Sequence, residues 1–172
     1  DSVKQLGGLD VFINGLSRLD DAELIEKAPE RFDKEVSGVF QKMFQINREV
    51  VRCMMREKAG NIIFLLIDDI LAYAGYPVSP TYNHAAAALM KSMAKELAPF
   101  NINVNTLTFG IYDKGFSPAE KRKMRKELEF CALKPQIPKW EDLLPALDAL
   151  IYPSYKYMTG QNYSACIGTS SI

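Results

Sequence analysis

The adjacent carboxylates Asp68 and Asp69 are the side chains of this chain that first invite an acid/base reading, while the single histidine, His84, is set two residues along a helix from Tyr82 and points to another side. Paired carboxylates can divide acid and base roles, but Asp-Asp is also what a solvated turn ordinarily carries. One histidine in 172 residues removes most Ser-His, Cys-His and metal-hydrolase mechanisms at once. The three cysteines, Cys53, Cys131 and Cys166, are odd in number and widely spaced, with no Cys-x-x-Cys. Neither a zinc site nor a disulfide framework is expected from them, and a reducing cytoplasm is the simplest setting.

The elements that must position these groups alternate short apolar runs with longer helix-period stretches, the pattern of a parallel α/β sheet. Leu9-Asp10-Val11-Phe12-Ile13-Asn14 reads as a first buried strand. Residues 37–58 place Val39, Phe40, Met43, Phe44, Val50, Val51, Met54 and Met55 near helical spacing, and Gly60 is expected to stop that helix. Ile62-Ile63-Phe64-Leu65-Leu66-Ile67 is apolar throughout, as suits a strand covered on both faces. A helix is expected over residues 81–97 with Pro99 beyond it, then a strand from Ile102 to Leu107 and a turn at Gly110. Ser117-Pro118-Ala119-Glu120 is a capping box with proline in the first turn, opening a helix to about Phe130. A short helix near 140–151 leads through Thr159-Gly160-Gln161 to a last strand around 162–167. The expected architecture is one domain over residues 1–172. It is a partial Rossmann-like, doubly wound α/β fold: a mostly parallel sheet of about four strands in chain order, with helices on both faces.

Lysine plus arginine number 21 and aspartate plus glutamate 21, so the net charge is zero and a general nucleic-acid binder is not expected. No apolar run approaches the ~20 residues of a membrane span. The charges are unevenly spread. Residues 20–35 hold seven acids and three bases, a local −4, whereas residues 117–127 hold five bases and two acids, a local +3. Two solvated helix faces are the ordinary reading; an acidic partner or phosphate-bearing substrate meeting the basic helix is the sharper one.

Five segments in order resemble the classical short-chain dehydrogenase/reductase family, particularly its 3-oxoacyl-carrier-protein reductase branch. Leu9-Asp10-Val11-Phe12-Ile13-Asn14-Gly15 resembles L-D-V-L-V-N-N-A-G, and Gly60-Asn61-Ile62-Ile63-Phe64 resembles the G-x-I-V-N strand. Tyr82-Asn83-His84-Ala85-Ala86-Ala87 sits where the family has Y-x-A-S-K-A. Ile102-Asn103-Val104-Asn105 with Phe109-Gly110 resembles I-x-V-N-x-x-x-P-G, and Thr159-Gly160-Gln161 matches T-G-Q. The resemblance implies an Asn-Ser-Tyr-Lys tetrad in which tyrosine is the acid/base and lysine, four residues on along one helix face, lowers its pKa. It assigns the tyrosine to Tyr82 as a vestigial catalytic residue, and the lysine position to Ala86. Without its lysine a phenol of reference pKa ~10 is a poor base. No serine occurs between Gly60 and Val78, the asparagine position falls on Val39, and Phe109 replaces the proline before Gly110.

The family's glycine-rich cofactor turn lies upstream of the L-D-V-L-V-N segment, and only eight residues precede Leu9 here. No cofactor-binding residue and no metal ligand is therefore expected in this chain, with NAD(P) implied if an amino-terminal half exists. The resemblance then supports a non-catalytic reductase-like protein, a pseudoenzyme acting as a structural or oligomerising subunit, homo- or hetero-oligomeric with a reductase-like partner. The alternative is an NAD(P)-dependent, ketoacyl-reductase-like oxidoreductase seen in part or with a non-standard site, its candidates being Asp68, Asp69 and Tyr82. A halohydrin-dehalogenase-like activity needs a serine and an arginine that are missing. A third reading is a binding module holding an acyl chain near Tyr82 and the 117–130 helix. The strand at 11–14 is expected to be covered by further protein, because a bare apolar edge invites strand addition.

Overall fold

The computed structural model describes residues 5, 7–129, 136–152 and 157–169. Four strands, β1 (Val11–Asn14), β2 (Gly60–Ile67), β3 (Ile102–Phe109) and β4 (Asn162–Ala165), form one sheet in chain order with every pairing parallel. Among the described residues five α-helices connect them, α1 (Asp21–Lys27), α2 (Phe32–Glu57), α3 (Pro80–Leu97), α4 (Pro118–Leu128) and α5 (Trp140–Ile151), and a 3-10 segment at Asp69–Ala74 borders the site. No helix among the described residues is long and apolar enough to cross a membrane.

The continuous apolarity of β2 has the cause the sequence suggests. Ile62, Phe64 and Leu66 face α2 and α3, while Ile63 faces α5 across the other side of the sheet. β3 divides in the same way, with Ile102 and Val104 on the first face and Leu107 and Phe109 on the second. Alternate residues pointing to opposite faces explain why both sets must be apolar. Each such side chain, fully buried, contributes roughly 1.5–3 kcal/mol of transfer free energy.

Helix boundaries follow their caps, with three departures from expectation. α2 begins at Phe32 rather than near 37, and α1 precedes it: Asp20 accepts the Glu23 N–H at 3.1 Å to start α1, and Asp33 and Glu35 stand in the first turn of α2, where carboxylates favour a helix. α2 is stopped by Lys58 in the left-handed conformation, φ 51°, not by Gly60. Gly60 serves another purpose: a Cβ there would lie 2.4 Å from the Met54 sulfur, so only glycine lets β2 start against α2. β4 ends at Ala165, with Ile167 turned into the left-handed region, φ 52°. The capping box of α4 forms as expected, Ser117 N donating to Glu120 Oε2 at 2.8 Å and Glu120 N to Ser117 Oγ at 3.3 Å. That helix runs to Leu128; Phe130 and Cys131 lie outside the described residues.

α1 is bound to α3 by a buried carboxylate. Asp21, 7% exposed, accepts from Ser79 Oγ at 2.5 Å and from Thr81 N at 2.9 Å, while its own N–H donates to Val78 O at 3.1 Å. A carboxylate at a helix N-terminus satisfies donors the helix cannot pair internally. Asp21→Ala removes it and strands the Ser79 hydroxyl and the Thr81 amide. The expected result is a loss of about 2 kcal/mol in urea unfolding, read as a lower midpoint at unchanged slope.

Candidate functional site

Parallel strands deliver their carboxyl ends to one rim, and there α3 leans over β2, β3 and β4 to enclose a cavity of about 160 Å³. Its floor is Thr108 of β3 with Asn162 and Ser164 of β4; its wall is Asn83, His84 and Ala87 of α3; its mouth is Asp68 and Asp69, which follow β2. Thr106 and Thr108 donate to Asn162 Oδ1 at 2.6 and 2.9 Å, which fixes the floor.

The two aspartates have separate tasks. Asp68 is 6% exposed and caps the 3-10 segment, accepting the Ile70 N–H at 3.3 Å on one oxygen and the Thr169 hydroxyl on the other. Its amide donates to Phe109 O at 2.8 Å, so this residue is a structural joint between β2, β3 and the turn after β4. Asp69 faces the cavity mouth. Asn83 Nδ2 donates to its Oδ1 at 2.6 Å and to Ile67 O at 2.7 Å, and His84 Nε2 lies 3.0 Å from its Oδ2. Asp69 and His84, fifteen positions apart in the chain, thus meet in one chain of contacts anchored by Asn83.

Tyr82 is not part of this cavity. It is 4% exposed, and its hydroxyl donates to the Met43 sulfur at 3.1 Å between α2 and α3. Burial pushes its phenol above the ordinary tyrosine value, the wrong direction for a base. Ala86, the expected lysine position, is fully buried in the same apolar cluster. The reason is helical phase: Tyr82, Ala86, Met90 and Ala94 form the stripe facing the core, and Asn83, His84 and Ala87 form the neighbouring stripe facing the cavity. Val39 packs into the cluster beneath α2, and Phe109 is buried with its ring 5.6 Å from that of Trp140.

Sequence reasoning passed over Asn83, Thr108 and Asn162. For Asn83 the signal is the spacing 83, 84, 87 on α3, a polar-to-small stripe beside the apolar one; Thr108 and Asn162 come from β3 and β4 and share no such pattern. The nicotinamide dinucleotide that the resemblance implies does not fit the residues lining the cavity. They include neither a tyrosine nor a lysine or arginine, and the Asp69 carboxylate stands at the mouth, where it opposes an anionic ligand.

A second concavity lies between α2 and α3 on the outer side. Phe44, Val51, Met93 and Leu97 line an apolar groove of about 250 Å³, with Arg48 and Glu96 on its rim. Phe44 is 47% exposed there.

Comparison with known proteins agrees with this fold. The chain is 26% identical over 162 residues to the 3-oxoacyl-(acyl-carrier-protein) reductase FabG of Buchnera aphidicola subsp. Baizongia pistaciae, covering 92% of this chain and 65% of that protein. It is 28% identical over 167 residues to FabG of Rickettsia bellii, covering 92% and 66%. The chain thus spans slightly under two thirds of the length of these relatives. Among solved structures it is similar to the acetoin dehydrogenase YohF from Salmonella typhimurium, with a TM-score of 0.76 and 20% identity over 99% of this chain and 68% of that one. It is similar also to the glucose dehydrogenase of Caenorhabditis elegans, with a TM-score of 0.74 and 17% identity over 99% and 67%. These structures share the fold. The profile described as short chain dehydrogenase matches residues 1–125, from before β1 through β2, α3 and β3 into α4. With the segments in order, the parallel sheet in chain order and that match across most of its length, this chain belongs to the short chain dehydrogenase family.

Proposed function

We propose that this chain is a non-catalytic subunit of the short-chain dehydrogenase fold that works by association, pairing through α2 and α3 with a reductase-like chain or its own copy. The observation that carries the reading is the phase of α3. It turns Tyr82 and Ala86 into the core and presents Asn83 and His84 to the cavity, so that among the described residues no phenol–ammonium pair lines it. The groove beside Phe44 supports the associating half, since a rimmed apolar patch marks an interaction surface. A reducing cytoplasm accords with three cysteines that are odd in number and widely spaced in the sequence.

Two measurements test it. Titration with NADH and NADPH by fluorescence is expected to show no saturable binding at micromolar concentrations, and ketoacyl thioester reduction no turnover. Sedimentation velocity is expected to show an oligomer that Phe44→Arg disperses, because an unpaired cation in a closed apolar interface is not compensated. Micromolar cofactor binding with turnover, or a monomer indifferent to Phe44→Arg, defeats the reading.

A second reading rests on the His84–Asp69 contact inside the cavity. It is an NAD(P)-dependent oxidoreductase with a non-standard site, whose dinucleotide would be held by residues other than those lining this cavity. It requires cofactor binding together with activity lost in His84→Gln.

A further inference from the structure

We propose that two oppositely charged surfaces of this chain dock on each other between copies, the acidic segment at residues 20–35 of one against the basic helix α4 of another. The proposal is independent of the apolar groove between α2 and α3.

The charge is matched within one sequence. Seven acids against three bases over 20–35 and five bases against two acids over 117–127 stand in a chain of zero net charge. A chain acidic overall would call for a foreign basic partner; this one carries both signs as separate patches of similar strength, which is self-complementarity.

Asp21 is buried against the start of α3, and folding leaves the rest of both patches largely on the surface and incompletely neutralised. In the acidic segment Lys27 pairs with Glu23 at 3.2 Å and Arg31 with Glu35 at 2.6 Å. On α4, Lys121 pairs with Asp113 at 2.5 Å and Lys123 with Glu127 at 3.8 Å. Glu26 and Asp33 on one side, and Arg122, Arg125 and Lys126 on the other, are exposed and make no ion pair among the described residues. No ion pair among the described residues joins the two segments within the chain, although both lie near Val78. Asp21 of α1 binds its carbonyl, and α4 packs beside it through Met124 and Leu128.

Charge alone makes a weak contact, because exposed ion pairs contribute little and are screened by salt. Each patch therefore needs an apolar anchor, and each has one. Ile25, 61% exposed, stands between Glu23 and Glu26 in α1. Tyr73, 90% exposed, belongs to the 3-10 segment that packs against α4. An aromatic anchor within a charged rim is the arrangement that makes an interface selective.

The test is self-association of the full chain by sedimentation velocity at about 20 mM and about 500 mM salt. The salt-sensitive part of the assembly is expected to vanish at high salt, while groove-mediated pairing persists. Two variants are made, Arg122→Glu with Arg125→Glu, and Glu26→Lys with Glu30→Lys. All four positions are exposed, so circular dichroism is expected to match the parent. Each variant alone is expected to lose that association at low salt by about tenfold in affinity, and an equimolar mixture of the two to regain it. Association identical at both salts, absence of any association at low salt, or a mixture no stronger than its parts overturns the proposal.

Discussion

Lysine placed at position 86 unfolds the chain sooner than it restores a reductase. Ala86 has no exposed surface and sits on the α3 stripe with Tyr82, Met90 and Ala94, against α2 and β2. A lysine there must leave its ammonium in that cluster or surrender the proton, and it also adds three carbons and a nitrogen to a packed interior. An uncompensated buried charge costs roughly 3–5 kcal/mol, and overpacking adds about 1–3 kcal/mol. Thermal unfolding of Ala86→Lys is expected at least about 10 °C below the parent, with no ketoacyl turnover. Asn83→Lys is the informative companion, because position 83 faces the cavity and Asp69 Oδ1 stands within hydrogen-bond distance. That variant is expected to keep most of the parent's stability. A folded, active Ala86→Lys protein would mean that α3 is rotated by about a quarter turn from the phase described.

Gly110→Val is the second large effect. The glycine follows β3 where the turn crosses β4, and a Cβ there would lie 2.7 Å from the Cys166 Cα and 2.9 Å from its Cβ. The nearest atom is backbone, so no side chain can swing aside. Gly110 N also donates to Ala165 O at 3.2 Å, and separating the strands to make room breaks that bond. The expected cost is about 3 kcal/mol, combining overpacking with a lost hydrogen bond. Gly38→Ala is the control. Nothing lies within 4 Å of its would-be Cβ on α2, so it is expected to gain roughly 0.5–1 kcal/mol from helix propensity. If Gly110→Val matches that control in urea denaturation, the close approach of the turn to Cys166 is wrong.

The strands and helices were legible because each carries an unambiguous period. β2 is apolar on both faces, α2 and α3 have apolar stripes at three- and four-residue spacing, and Ser117 with Glu120 announces a helix start. α1 was hidden because its seven residues lie within a segment whose dominant signal is charge. The site was less legible for a geometric reason. A motif match fixes which residues occur near one another but not helical phase, and one residue on a helix is a 100° rotation. Matching Tyr82 to the family tyrosine put the wrong stripe at the cavity. The side chains that line it, Asn83 and His84, are adjacent to Tyr82 in sequence and face elsewhere in space. Asp69 with His84 could not be read as a pair, since only the return of α3 over β2 brings them together.

The all-parallel sheet has a kinetic consequence. Val11 pairs with Asn61, Gly60 with Ile102 and Thr106 with Asn162, so no strand meets its neighbour after fewer than about forty intervening residues. Each pairing must close a long loop before any ladder hydrogen bond repays the lost chain entropy. The shortest closure is β2 to β3, with α3 as the crossover and the apolar seam of Ile62, Phe64 and Val104 ready to collapse onto it. That unit is expected to form first, with the four-residue pairings of β1 and β4 following. Amide exchange therefore grades outward from the two central strands, and the outer edges of the sheet are the part of this molecule that opens while its middle remains closed.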